Sequence, residues 1–301
     1  FGGDGFWAFA DPADPDYIYA ESQGGEIGRV NRKTFELRNI KPLPQYQEKK
    51  LRFNWNTPIH LSPTQRGTIY IGAEFLFRSR DRGQTWERIS PDLTTNDPEK
   101  QKQEQSGGIT VDIWSAEMHT TIFSICESPK DSNLIWIGTD DGNLQLTRDG
   151  GKTWKNLIAN IKGLPRNAWV SSFDAGHFDA GTAYATFDVH TFGDMRPYVY
   201  KTSDFGNTWT QIIGPSSDVH GYAHVVKEDI VNKDLLFVGT ELGLWVSIDG
   251  GKQWAQYKGG DFPNAAVRDL AIHPRDKDLI IGTHGRGIWI IDDITPLRSL
   301  T

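Results

Sequence analysis

Cysteine is almost missing: Cys126 stands alone, so no disulfide can form within the chain, and its place inside an apolar run predicts a buried structural thiol. No stretch approaches the roughly 18 consecutive apolar residues of a membrane-spanning helix. Lysine and arginine never gather into a run, and a net charge of −7 over 301 residues leaves no electrostatic footprint for a nucleic-acid backbone. The longest charged stretch, Asp97 to Glu104, mixes both signs and reads as a solvated loop. There is no HExxH motif to place metal ligands on one helix face, no nucleophile elbow, and no helix after the glycines of THGRGIW to cradle a phosphate, so neither a metal nor a cofactor is expected. A secretory leader is not visible either. The chain opens at Phe1 without Met, which suggests a piece of a larger protein.

What is abundant is glycine (31 residues) and tryptophan (11 residues), the composition of many tight turns with recurring packing pegs. The two meet in one repeated pattern, [S/T]-x-D-x-G-x-x-W. It occurs as SRDRGQTW, TRDGGKTW, TSDFGNTW and SIDGGKQW, with aspartates at Asp81, Asp149, Asp204 and Asp249. Each copy follows a pair of short β-branched and aromatic runs joined by a polar or glycine turn, the signature of a hairpin. A further strand precedes each hairpin (IHLSP, IFSICESP, HVVKED, LAIHP), and each copy of the pattern leads into one more (WERIS, WKNLI, WTQII, WAQY). Units of four antiparallel strands and no credible helix predict an all-β chain built by radial repetition, a β-propeller. The blades are expected at 6–41, 57–93, 119–160, 168–214, 222–258 and 267–293. The last lacks its outer strand, so further blades, from the same parent protein or a second chain, are expected to complete the fold.

The repeated pattern sits on the turn between third and fourth strands. There Asp81, Asp149, Asp204 and Asp249 can accept hydrogen bonds from their own turns. Gly83, Gly151, Gly206 and Gly251 supply a backbone that a Cβ resists, and Trp86, Trp154, Trp209 and Trp254 pack between sheets. Four copies on one outer turn read as a staple rather than as chemistry.

These residues resemble the Asp-box, or BNR repeat, of sialidases, of xyloglucan-cleaving glycoside hydrolases with tandem propellers, and of sortilin-type receptors. DDGNLQLTRDGGKTW, AYATFD, YAHVVKED and THGRGIWIIDDITPL also resemble large secreted bacterial BNR-repeat proteins, which implies export and a larger parent. The resemblance specifies the fold and leaves function open, since enzymes and receptors share the repeat. Sialidase chemistry is disfavoured, because a triad of arginines and an Arg-Ile-Pro signature are not evident.

In Asp-box propellers the staples lie opposite the ligand face, which directs attention to the other hairpin turns. Aligned hairpins place Gln23, Glu74, Asp140, Asp188, Glu241 and His284 at one equivalent position just past the second strand. This predicts an acidic funnel mouth for a cation, an amine or a polyhydroxyl ligand; the alternative is that polar residues simply populate solvated turns. Two of the carboxylates flanking a sugar bond would support acid/base hydrolysis, with Asp140, Asp188, Glu74 and Glu241 as candidates. Arg268 and Arg286 can share such a site. Long connections at 90–120 and 188–197 add Trp114, His119 and His190 as contact residues, although each histidine alone is more often structural. The reading is an exported propeller that binds a glycan or protein through its acidic face, without nucleic acid or a membrane span; the alternative is a glycoside hydrolase using a carboxylate pair on that face.

Overall fold

A computed structural model describes residues 2–102 and 118–300, and the fold is a β-propeller. The chain divides into two compact units, Phe1–Ile158 and Ala159–Thr301, with three blades in each. Every blade is an antiparallel sheet whose hydrogen-bonded neighbours are consecutive in the chain, the arrangement that short turns enforce.

In the first unit, blade one is β1 (Ala8–Ala10), β2 (Tyr17–Glu21), β3 (Ile27–Asn31) and β4 (Leu37–Asn39). Blade two is β5 (Ile59–Leu61), β6 (Ile69–Gly72), β7 (Leu76–Ser79) and β8 (Glu87–Arg88). Blade three is β9 (Ile122–Ser128), β10 (Asp131–Thr139), β11 (Leu144–Thr147) and β12 (Lys155–Asn156). In the second unit, blade four is β13 (Trp169–Ala175), β14 (Ala183–Asp188), β15 (Val199–Thr202) and β16 (Thr210–Ile213). Blade five is β17 (Ala223–Glu228), β18 (Leu236–Thr240), β19 (Gly243–Ser247) and β20 (Ala255–Gln256). Blade six is β21 (Val267–Ile272), β22 (Leu279–Thr283) and β23 (Ile288–Ile291), and it has three strands among the described residues.

The second strand of a blade is covered on both faces, so it reads as a continuous apolar run instead of an alternating one. Ile69–Gly72 and Leu236–Thr240 are buried throughout, as are the last six residues of β10. Cores form where successive blades face each other. Tyr19 and Ile27 of blade one pack with Ile59, Ile69 and Ile71 of blade two, and Val226, Leu236 and Val238 of blade five pack with Tyr184 and Val199 of blade four. Cys126 is buried, as its apolar surroundings suggest.

Carboxylates at the ends of first strands join blades as well. Glu127 accepts from Tyr70 Oη (2.8 Å) and Ser62 Oγ (2.8 Å) of blade two, and Glu228 accepts from Tyr184 Oη (3.0 Å) of blade four. The expectation of no helix needs one correction. Thr295–Arg298 forms a single α-helical turn, α1, with Pro296 where a missing N–H costs nothing. Arg298 anchors it by a bidentate pair to buried Asp229 (2.7 and 2.9 Å), a long-range contact that local patterning does not reveal.

Candidate functional site

Each Asp-box turn closes on itself. In blade two, Ser79 Oγ donates to Asp81 Oδ1 (2.7 Å) and accepts from Gly83 N (2.7 Å), while Thr85 N and Oγ1 donate to the two carboxylate oxygens (2.9 and 2.6 Å). Thr147, Asp149, Gly151 and Thr153 repeat these bonds, as do Thr202, Asp204, Gly206 and Thr208. In blade five Ser247, Asp249, Gly251 and the Gln253 backbone do so. Burial pushes the Asp81 carboxyl up, but donors from Thr85 and Ser79 outweigh it and hold the group down at about 2; Thr153 donors hold Asp149 at about 2 as well. Gly151 has φ +99°, and a Cβ there would meet Ile89 O at 2.6 Å. The indoles reach the preceding blade: Trp86 Nε1 donates to Ile40 O (2.7 Å), Trp154 to Ile89 O (3.0 Å) and Trp254 to Ile212 O (3.2 Å). Trp209 holds the same place in the fourth blade's motif, half-buried. The carboxylate oxygens of these turns serve the turns.

In the first unit, the connection from blade one to blade two runs past three carboxylates. Thr57 N and Gly25 N donate to Glu21 Oε1 (3.4 and 3.3 Å), and Arg52 N donates to Glu74 Oε2 (2.7 Å). Asn54 Nδ2 donates to Asp140 Oδ2 (3.0 Å), which also takes Thr121 Oγ1 (2.6 Å), while Asp140 Oδ1 takes Thr121 N (2.9 Å). The segment Arg52 to Thr57 thus forms a strap holding one carboxylate from each of three blades. All three are buried, and burial raises all three: Glu21 to about 8, Asp140 to about 6, and Glu74 upward.

The strap also leaves polar atoms unsatisfied. Glu21 Oε2 and Asn56 Oδ1 are buried without a hydrogen-bond partner among the described residues, and so is Oγ1 of Thr120, the neighbour of Thr121. Thr120 has φ +60°, a conformation that a β-branched residue resists, and its carbonyl accepts from Arg52 Nε (3.1 Å). Buried orphans and strain together mark this strap as more than packing. Arg52, Trp55 and Asn56 of the strap are half-buried, and the carbonyl of Trp55 accepts from Gly24 N (2.9 Å).

The second unit has a different cluster. Asp188, at the end of β14, is 4% exposed and accepts from His190 Nδ1 (2.5 Å) and His224 Nδ1 (2.9 Å), with Arg268 Nη1 3.9 Å away. His190 stacks on Tyr222 with ring centroids 4.3 Å apart, and Arg268 Nη2 donates to Tyr222 Oη (2.7 Å). Burial pushes Asp188 up, but hydrogen bonds from the two imidazoles outweigh it and hold the carboxyl far below its usual range. His220 and His224 have H-x-x-x-H spacing, but on extended chain their rings diverge: His220 packs edge-on against Trp245. Among the described residues no group of three or more His, Cys, Asp or Glu is arranged to hold a metal.

The aligned hairpin positions are therefore not alike. Glu74, Asp140 and Asp188 are buried, not solvated turn residues, while Gln23 and Glu241 are half-buried and His284 is exposed. The backbone N–H of Asp140, Glu241 and His284 makes the same bond in blades three, five and six, to Thr121 O (3.1 Å), Tyr222 O (3.0 Å) and Ala266 O (2.8 Å). Gln23 Oε1 accepts from Asp4 N (2.8 Å). His119 is buried, its Nε2 3.0 Å from Asp140 O. Arg268 joins Asp188, whereas Arg286 stays exposed on the β22–β23 turn; Trp114 lies outside the described residues. Sequence patterning does not single out Glu21, the strap or Tyr222. The one signal for Glu21 is a glutamate closing an apolar strand in YIYAE.

Comparison with known proteins agrees with the fold. Residues 76–89 match the BNR-Asp box repeat model. An oligoxyloglucan-reducing end-specific xyloglucanase of Emericella nidulans is 22% identical over 86% of this chain and 34% of its own length, and a Paenibacillus xyloglucanase is 25% identical over 86% and 27%. A xyloglucanase of Acetivibrio thermocellus is 24% identical over 64% of this chain and 24% of its own length. Among solved structures, the GH74 xyloglucanase from Xanthomonas campestris aligns with TM-score 0.59 and 21% identity over 94% of this chain and 44% of that one. The extracellular domain of a putative one-component system from B. thetaiotaomicron aligns with TM-score 0.60 and 14% identity, over 95% and 32%. The chain spans about a third or less of the curated relatives it matches. It is similar in sequence to glycoside hydrolases and carries an Asp-box repeat on a β-propeller.

Proposed function

We propose that this chain is a substrate-holding propeller of an exported glycoside hydrolase acting on a β-glucan of the xyloglucan kind, with its proton donor held against the strap. The observation that carries this reading is Glu21, buried with Oε2 unpartnered and its carboxyl raised to about 8. Such a group keeps its proton at neutral pH, the state in which a carboxyl can protonate a departing glycosidic oxygen. Glu74, the next carboxyl along the strap, is the partner. Its Oε1 is 3.9 Å from Arg52, whereas both oxygens of Asp140 are engaged by hydrogen bonds. In the reaction Glu21 gives its proton to the leaving oxygen as the C–O bond breaks, and Glu74 takes a proton from the water that adds to the anomeric carbon. The half-buried Trp55 offers an indole face to a sugar ring. Support comes from the similar xyloglucanases, and export is inferred from the same likeness. Among the described residues no helix is long and apolar enough to cross a membrane.

The test is release of reducing ends from xyloglucan by the full-length protein. Glu21→Gln is expected to lower kcat by about 10²-fold or more with little change in KM, the usual contribution of a positioned acid. Absence of cleavage with any β-glucan would overturn hydrolysis. A second reading, a propeller that binds a glycan without cutting it, draws support from the depth of the carboxylates, since Glu21 is only 1% exposed. Retention on insoluble glucan unaffected by Glu21→Gln, with no products formed, would favour it.

A further inference from the structure

We propose that His190, Tyr222 and Arg268 form a separate binding site on the second unit for one residue of a neutral sugar. The inference rests on the glycan reading above but not on its catalytic residues.

The hydrogen pattern follows from Asp188. An ionised carboxylate cannot donate, so the short contacts to its two oxygens require a hydrogen on Nδ1 of both His190 and His224. Arg268 Nη1 stands behind His224, 3.3 Å from its Nδ1 and 3.9 Å from Asp188 Oδ2. With Nδ1 turned to Asp188, Nε2 of His190 lies on the far side of the ring, and His190 is one-third exposed. Tyr222 Oη accepts from Arg268, which orients its own hydrogen away from the guanidinium. Arg268 keeps further N–H groups, and its side chain is 32% exposed.

An outward ring nitrogen beside a phenol and a guanidinium matches a sugar hydroxyl pair, each member of which can give one hydrogen bond and take another. The stacking of His190 on Tyr222 fixes that nitrogen at a single angle, and Phe192, two residues on and 51% exposed, supplies an apolar surface on the same loop. Charge argues for a neutral ligand. Asp188 and Arg268 offset each other, Lys227 pairs with Asp174 (2.9 Å), and Glu241, whose charge acts on Tyr222, disfavours an anion.

Calorimetric titration of xyloglucan-derived oligosaccharides into full-length protein carrying Glu21→Gln reads binding without turnover. His190→Ala and Arg268→Gln should each weaken affinity about tenfold, the value of one lost hydrogen bond to a desolvated partner. His190→Gln, which keeps an acceptor, should recover most of the loss. Unchanged affinity in both loss variants, with near-UV circular dichroism showing intact packing, overturns the site, as does the absence of any oligosaccharide binding. Reducing-end release by the unmutated protein is scored separately. Cleavage with no effect of His190→Ala leaves the strap reading standing and removes this one. Weakened binding in His190→Ala without any cleavage does the reverse.

Discussion

Asp140 and Asp188 stand at the same point of their blades, just where the second strand ends, and both are buried, yet their carboxyls move in opposite directions. Burial raises Asp140 to about 6, against Asn54 and Thr121, which are neutral donors, and His119 at 3.7 Å. Burial acts on Asp188 too, but two imidazoles donate directly to it and Arg268 stands behind them, and the sum lowers it. The position sets the desolvation, and the neighbours set the charge state. One propeller scaffold therefore carries a carboxyl raised by burial in one unit and a carboxyl lowered by its neighbours in the other.

The comparison breaks first at Asp188. Asp188→Asn replaces a carboxylate that organises two histidines and an arginine, and is expected to cost about 3–5 kcal/mol, the scale for removing one partner of a buried charged network. Asp140→Asn should cost about 1–3 kcal/mol, because an amide keeps only one of the two acceptor oxygens and leaves a neutral donor of Asn54 or Thr121 unpaired. Denaturant unfolding of both variants at pH 7 checks this, and equal losses would show that the two environments do not differ as described. The pH dependence carries the sign. A lowered carboxyl contributes stability that is present above its ordinary value of 3.8 and is lost as pH falls below it, so the Asp188 contribution fades only in strong acid.

Glu21 has the opposite sign. Its ordinary value is 4.5 and burial raises it to about 8, so the native state holds a proton that the unfolded chain has released between those values. Stability from this group is complete below about 4.5 and declines as pH rises to about 8. Glu21→Gln, which fixes the uncharged form, should therefore leave acid stability unchanged and stabilise the protein by a few kcal/mol at about pH 9, since each tenfold difference in proton affinity between folded and unfolded chain is worth about 1.4 kcal/mol. Parallel stability curves for the parent protein and the variant from mild acid to mild alkali would mean that Glu21 is ionised in the folded protein.

The fold was legible because its signals are local and repeated. The [S/T]-x-D-x-G-x-x-W turn states its own hydrogen bonds within one short motif, and the runs before it state the strands. The sites were legible only in part, because they depend on contacts far apart in the chain. The alignment of hairpins found Glu74, Asp140 and Asp188 as a funnel mouth or as solvated turns, and foresaw the burial of none of them. Burial of Asp140 depends on Asn54, 86 positions earlier, and that of Asp188 on His224, 36 positions later. The alignment points to Gln23 instead of Glu21, since alternation predicts which residue ends a strand but not that its carboxyl meets a strap from the next connection. The α1 turn is hidden for the same reason, as its anchor, Asp229, lies 69 residues away.

Smaller effects sharpen the contrast between holding and acting. Trp154→Phe keeps the aromatic filler between blades two and three but removes the Nε1 donor to Ile89 O. A loss of about 1 kcal/mol in denaturant unfolding is expected, the net worth of one neutral hydrogen bond. A much larger loss would show that indole shape, not the bond, joins the blades.

The smallest functional effect is expected at the staple itself. Asp149 lies at the surface, and its carboxylate accepts from Thr147, from the backbone of Thr153 and from the Thr153 hydroxyl. Asp149→Ala removes the acceptor for all three, so the thermal midpoint should fall measurably, with the turn between β11 and β12 exchanging its amide hydrogens faster. Because the Asp149 carboxylate is directed into its own turn, affinity for xyloglucan oligosaccharides should match the parent protein at temperatures well below unfolding. Lost oligosaccharide binding with an unchanged thermal midpoint would mean that the repeated aspartates hold ligand, and would place chemistry on the Asp-box side of the blades instead of at the strap and the histidine cluster.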